Sequence, residues 1–250
     1  MTSARIAALD GQFDRARELG LKYDLAVASD PSAAVHASAA RFLVDVATES
    51  GDVQGAARVA ESFLKRQVAW SGAPDAETPR MLRVERVAGV IDDAKLRQER
   101  ASFMTAWERQ SSRVRFARGV EWLLTFAAQV ETKRDAEEAF GERPAYGHIP
   151  VGLRTPMNDE ALGRANLYAG RIDAAVAPLS RAALMCTSLD DPFTRVGTHL
   201  LLGQALEAKG DVRGACAAYA FVRERWGAAK PRSVTADKAK ERMKRAGCAP

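Results

Sequence analysis

The sequence predicts an all-α fold, with six helical hairpins in series and one terminal helix, as a single domain over residues 1–250. Three observations predict it. Alanine is plentiful while aromatics make up only 7% of the chain and β-branched runs are few. Alanine loses no side-chain entropy in a helix, so this balance favours helix over strand. Apolar residues recur at helical spacing, as in Leu201, Leu202, Ala205 and Leu206. A short segment centred on glycine returns about every forty residues, the mark of a repeat architecture.

The anchors are Gly11, Gly51, Gly89, Gly170 and Gly210, and a sixth unit without glycine falls in the long gap, at Glu131-Thr-Lys-Arg-Asp-Ala136. Five residues after each anchor stands an alanine: Ala16, Ala56, Ala94, Ala136, Ala175 and Ala215. Two residues after it is an apolar residue (Phe13, Val53, Ile91, Ile172, Val212), except at Lys133. A glycine ends one helix in the left-handed conformation, where a Cβ would clash. The aspartate beyond it (Asp14, Asp52, Asp92, Asp173 or Asp211) accepts bonds from the free amides of the next helix. Each unit is then helix A, a tight turn and helix B, with the alanine letting two backbones approach. Neither helix buries its apolar stripe alone, so the units must stack.

In chain order, only ten residues precede Gly11, so helix A of unit one is short. Its Ile6 and Leu9 are expected to form an exposed apolar surface for an upstream segment, as if the chain were the C-terminal part of something longer. Unit two turns at Gly51. Ser71 to Pro79 is a loop whose Thr78-Pro79 opens helix A of unit three. Unit four is followed by the flexible stretch from Gly141 to Pro156, with three prolines and three glycines. Unit five turns at Gly170. Asp191-Pro192 opens unit six, which turns at Gly210. Lys230 to Ser233 then separates the terminal helix, 233–248, which puts Ala236, Ala239, Met243 and Ala246 on one side.

Leu202-Gly203, Leu206, Gly210-Asp211, Ala215 and Tyr219 resemble the tetratricopeptide repeat (TPR) pattern, as do Leu162-Gly163, Gly170, Ala175, Leu179 and Ala182. Units one to four resemble it only around the turn, and a period of about forty exceeds the ~34 residues of that family. A narrower resemblance lies in Ala205 to Asp211, Cys216 to Tyr219 and Arg225 to Ala236. It is similar to the end of helical-repeat tails carried by some bacterial serine/threonine protein kinases. The resemblance implies a TPR-like α-solenoid whose helices A line a concave, peptide-binding face. The kinase itself is absent: no glycine-rich loop, His-Arg-Asp or Asp-Phe-Gly occurs.

Charge and composition narrow the partners. The chain is 47% hydrophobic and 28% charged, which excludes a disordered or collagen-like chain. Of its net +5, residues 230–250 supply seven basic and two acidic side chains, so the remainder is neutral. The basic balance marks one solvated capping helix, not a nucleic-acid face, and aromatics are not interleaved with basic residues. The longest apolar stretch, Gly119 to Val130, is too short to span a membrane and carries Glu121. No apolar leader opens the chain, and Cys186, Cys216 and Cys248 are too few for a disulfide framework. A cytoplasmic location with free thiols is the expectation. Antiparallel packing of the terminal helix on helix B of unit six would make Cys216 and Cys248 the closest cysteine pair, with Cys186 apart.

No nucleophile elbow, phosphate loop, dinucleotide fingerprint or zinc-protease helix is found, and His36, His148 and His199 lack metal-ligand spacing. No cofactor or metal is expected. His199 reads as a packing residue, Glu137-Glu138 and Asp92-Asp93 as helix-start charges, and Trp70, Trp107, Trp122 and Trp226 as core. Function then divides between a non-catalytic protein- or peptide-binding scaffold, with a regulatory or sensory role if the kinase-tail resemblance holds, and an enzyme with an unrecognised site in the groove. A scaffold would show a long open trough, an enzyme two or more convergent titratable groups with shifted pKa values. Counting back from each anchor, the peptide-facing positions are Arg41 and Asp45, Arg83 and Arg86, Glu121, Arg164 and Tyr168, and Gln204 and Glu207. Their arginines suit an acidic peptide or a C-terminal carboxylate, because guanidinium forks pair with carboxylates. Replacing Arg83, Arg86 and Arg164 by alanine is expected to abolish capture without unfolding.

Overall fold

The computed structural model describes residues 1–71, 75–109, 118–146, 149, 155–184 and 191–248, with side chains omitted for 67–71. Thirteen α-helices occur among them, and no strand. In pairs they are α1 (Thr2–Leu9) and α2 (Phe13–Ala26), α3 (Ala33–Glu49) and α4 (Val53–Ser71), α5 (Thr78–Val87) and α6 (Asp93–Glu108). Then come α7 (Arg118–Thr125) and α8 (Lys133–Glu142), α9 (Pro156–Tyr168) and α10 (Ile172–Leu184), α11 (Pro192–Lys209) and α12 (Val212–Trp226), and last α13 (Val234–Ala246). The fold is all-α, and each anchor segment separates the two helices of a pair.

All five anchor glycines have positive φ, between 71° and 88°. Where unit four lacks the glycine, α7 ends through a 3₁₀ turn, Ala127–Gln129, and an extended, buried Val130. Three of the five aspartates cap: Asp52, Asp92 and Asp211 accept the amides of Gly55, Lys95 and Gly214 at 2.7–2.8 Å. Asp14 and Asp173 stand inside the first turn instead, where a negative charge suits the helix dipole. Thr132 and Asp135 form a reciprocal capping box at the start of α8.

Five of the six repeat alanines are fully buried, and Ala94 is exposed. The reason is register. In units one, two, four, five and six the alanine amide makes the first bond of helix B, to the carbonyl four residues earlier. In unit three the capping aspartate comes three residues after glycine instead of one, so that bond falls to Leu96, which is buried. Ile91 belongs to the lengthened turn and carries no repeat role.

The expectation of an open solenoid is corrected at the chain ends. The first and last hairpins pack on one another. Ala4, Ala7, Ala8, Phe13 and Ala16 share one core cluster with Phe42, Val196, Leu200, Tyr219, Trp226 and Met243. Trp226 Nε1 donates to the Ala8 carbonyl at 2.9 Å, Lys230 N to Gly11 O and Phe13 N to Lys230 O at 2.8 Å each. At the start of α13, Ser233 and Thr235 donate to the Glu49 carboxylate of α3 at 2.5–2.8 Å. Ile6 is 44% exposed and Leu9 half-buried, while the alanines beside them are covered by the last unit. The first and last units of the series are thus neighbours.

The terminal helix buries Ala236, Ala239 and Met243 and keeps its lysines and arginines outward, as expected. Cys216 and Cys248 are joined in a disulfide, Cα–Cα 5.5 Å, so the predicted pairing holds and the expected free thiols do not. Cys186, His148 and residues 147–148 and 150–154 of the Gly141 to Pro156 stretch lie outside the described residues, as does the Trp70 side chain. Trp122 and Trp226 are core, and Trp107 is half-buried.

Two outcomes test this packing. A Cβ on Gly203 would stand 2.3 Å from the Tyr219 ring, as one on Gly163 would stand 2.4 Å from Leu179. Gly203→Ala should lower the melting temperature by several degrees, and Gly203→Ala with Tyr219→Leu should recover part of it, since overpacking costs about 1–3 kcal/mol. Reduction of the disulfide, which spans 32 residues, should cost about 3–4 kcal/mol on the chain-entropy account, read as a lower denaturant midpoint with dithiothreitol.

Candidate functional site

Charged residues of neighbouring helices A meet one another. On α3, Arg41 and Asp45 stand one turn apart. On α5, Arg80, Arg83 and Arg86 follow at intervals of three, a strip that spirals along the short helix. Arg41 pairs with Asp191, with Glu77 at 3.5 Å and with Asp45 at 3.8 Å. Arg80 pairs with Asp45 at 2.7 Å and with Glu77 at 3.2 Å. Burial opposes the Arg80 charge, but Asp45, Glu77 and Asp191 outweigh it and raise its pKa. Burial likewise raises the Asp45 carboxyl against the pull of Arg80 and Arg41. At Asp191 burial is outweighed by Arg41 and the Thr194 hydrogen bonds, and the pKa falls.

A second set lies farther along the stack. Arg83 pairs with Glu131, and Arg86 with Asp93 at 2.9 Å and Asp135 at 3.1 Å. Arg100 reaches Glu138 at 2.7 Å, and Arg164 reaches Glu160 at 2.6 Å. Burial lowers the Arg83 pKa, with Arg164 and Arg80 adding like charge against Glu131.

The predicted peptide-facing residues therefore divide. Arg41 and Asp45 meet in the first set. Arg83, Arg86 and Arg164 are half-buried, and each has a carboxylate of this chain beside it, with Arg83 Nε and Nη1 making no hydrogen bond. Tyr168 adds to the field at Arg164 and packs between two apolar clusters. Gln204 is half-buried and joins neither set. Glu207 is turned towards α12 and α13, accepting from Tyr219 Oη at 2.6 Å and Arg242 at 3.4 Å, so it anchors the cap. Glu121 lies apart on α7, only 4% exposed, with Oε1 lacking a hydrogen-bond partner. Glu77, Arg80, Glu131, Glu160 and Asp191 also belong to the sets and were not singled out as site residues in the sequence. The three-residue spacing from Arg80 to Arg86 was the available signal.

Among the described residues a half-open cavity of about 270 Å³, shorter than the expected trough, lies where units one, two, three and six meet. Its charged lining is Arg5, Arg41, Asp45, Asp75, Glu77 and Asp191, and its apolar wall includes Phe42, Pro192 and Phe193, with Phe42 and Phe193 edge to face at 5.8 Å. Among the described residues no three His, Cys, Asp or Glu side chains are grouped to hold a metal, and no helix is long and apolar enough to cross a membrane. Comparisons with protein-family models, curated proteins and solved structures gave no match to this chain.

His199 stacks on Phe221 at 3.8 Å. Burial, with Arg195 adding like charge, pushes its pKa down to about 4 from 6.5. Between those values the unfolded chain binds more protons, so this group's stability is lost as pH falls. Burial pushes Glu121 up to about 7 from 4.5, with Arg118 opposing and Glu108 assisting. There the folded chain binds more protons, and stability is lost as pH rises through 7. The two trends oppose between pH 4.5 and 6.5. Glu121→Gln should therefore make the slope of melting temperature against pH more positive than in the parent chain across that window. A Glu121→Gln curve parallel to that of the parent chain would refute the assignment.

Proposed function

We propose that the chain is a non-catalytic binding module whose cavity between α1, α3, the start of α5 and the start of α11 takes a short peptide segment of a protein partner. The observation that carries this reading is the cavity itself, with charges of both signs and an aromatic wall drawn from four separate elements. Such mixed, concave linings suit ligands that present a side chain and a polar end together. Its size argues for a few atoms of a segment rather than a long extended peptide. Arg41 and Arg80 hold Asp191, Glu77 and one oxygen of Asp45 in fixed ion pairs, an arrangement suited to recognition. The likeness of the turns and of the last unit to tetratricopeptide repeats, and of the C-terminal part to kinase tails, supports a regulatory or sensory setting, by analogy of fold.

The arginines of the second set now have a structural expectation. Alanine at Arg164 leaves the buried Glu160 without its cation, which costs about 3–5 kcal/mol for a buried pair, and alanine at Arg83 and Arg86 also removes the cations beside Glu131, Asp93 and Asp135. That triple variant is thus no test of binding. Ala34 is exposed at the cavity edge, and Ala34→Trp should fill the mouth with little change in melting temperature. Peptides selected from a displayed random library on the parent chain should lose binding to Ala34→Trp. Selection of no peptide, or equal binding to the variant, would overturn the reading.

A further inference from the structure

Six charged side chains line the cavity, and most are answered by one another. Asp191 is held by Arg41 and by the Thr194 amide and hydroxyl, at 2.9 and 2.6 Å. Glu77 receives Arg41 on one oxygen and Arg80 on the other. Asp75 accepts the Glu77 amide at 2.8 Å. Two groups retain capacity. Asp45 gives Oδ1 to Arg80 at 2.7 Å, but its Oδ2 has only Arg41 Nε at 3.8 Å, beyond hydrogen-bond range. Arg5 reaches the cavity from α1, across the closure, and no carboxylate among the described residues pairs with it. An under-used anion and an under-used cation thus share one space with Phe42 and Phe193.

A lone anion would answer Arg5 but meet four carboxylates. A lone cation would answer Asp45 and leave Arg5 as it is. Only a molecule carrying both charges answers both. We propose that the cavity recognises a small zwitterion with an apolar side chain, its ammonium on Asp45, its carboxylate on Arg5 and its side chain against Phe42 and Phe193. This inference rests on the reading of the cavity as a peptide-binding site and narrows it to the size of an amino acid or dipeptide. A space of about 270 Å³ holds roughly nine waters at ~30 Å³ each, too few for both ends of a longer peptide.

Isothermal titration of the full chain with L-alanyl-L-leucine, its N-acetyl form, its C-terminal amide and L-leucine tests it. The dipeptide or leucine should bind, and which of the two does so identifies the source. Each blocked form should bind at least tenfold more weakly, the effect of one charged hydrogen bond. Arg5→Ala should erase the difference between acid and amide, and Arg5→Lys should restore part of it. Asp45→Asn should erase the difference between amine and acetyl. Because Asp45 also holds Arg80, the Asp45 variant is read only alongside its melting curve, and the Arg5 pair decides if it does not fold. Equal binding of free and blocked forms overturns the zwitterion and leaves a peptide site. Failure of all four compounds while selected peptides still bind does the same. Failure of both compounds and peptides overturns the site.

Discussion

A stack of amphipathic hairpins has two ends, and each end exposes an apolar face that the next repeat would have covered. The burial of those two faces against each other is the constraint on which the rest of this structure depends. Trp226 fills the joint, with its indole N–H on the Ala8 carbonyl, and the Lys230 backbone exchanges bonds with Gly11 and Phe13. The terminal helix then locks onto α3 through Glu49. An open array gains stability unit by unit from nearest neighbours. Here the terminal units are also neighbours, and most of the largest apolar cluster lies at their junction.

Closure also sets the electrostatics. Inward faces of helices A, which in an open array would be wet, are brought close enough that arginines on α3, α5 and α9 must find carboxylates within the chain. Each has a carboxylate beside it, and the cavity opens next to the first set, where Arg41 and Asp45 form part of its wall. Charges buried in this way are poor contributors to stability but punish a missing partner, so the pattern of pairs fixes which helices can face one another.

Much of this was legible in the sequence. The helical class, the six turns, the aspartate caps at 52, 92 and 211, the cysteine pair and the buried stripe of the last helix follow from local rules: left-handed glycine, side-chain capping, apolar periodicity. Ala94 shows where a local rule was misapplied, because burial is counted from the helix cap and the glycine only precedes it. Closure was not legible. It depends on contacts more than two hundred residues apart, between surfaces of small alanines that resemble any helix interface. The site was half legible: inward positions could be counted, but Glu131 and Asp135, which pair with Arg83 and Arg86, come from unit four, while Glu160 stands one turn from Arg164 on the same helix.

The lengthened turn at Gly89 has a consequence for how such a chain can vary. Val90 and Ile91 are extra relative to the other units, yet α6 still begins at its own capping aspartate and presents Leu96 inward. The glycine and the cap work as two separate joints, one ending a helix and one starting the next. Chain inserted between them changes neither helix's rotation, since each end is set by its own hydrogen bonds. The outer corners of the hairpins are therefore natural points for grafting a loop or an epitope, whereas a single residue added after the cap would turn a whole helix by about 100° and undo its packing.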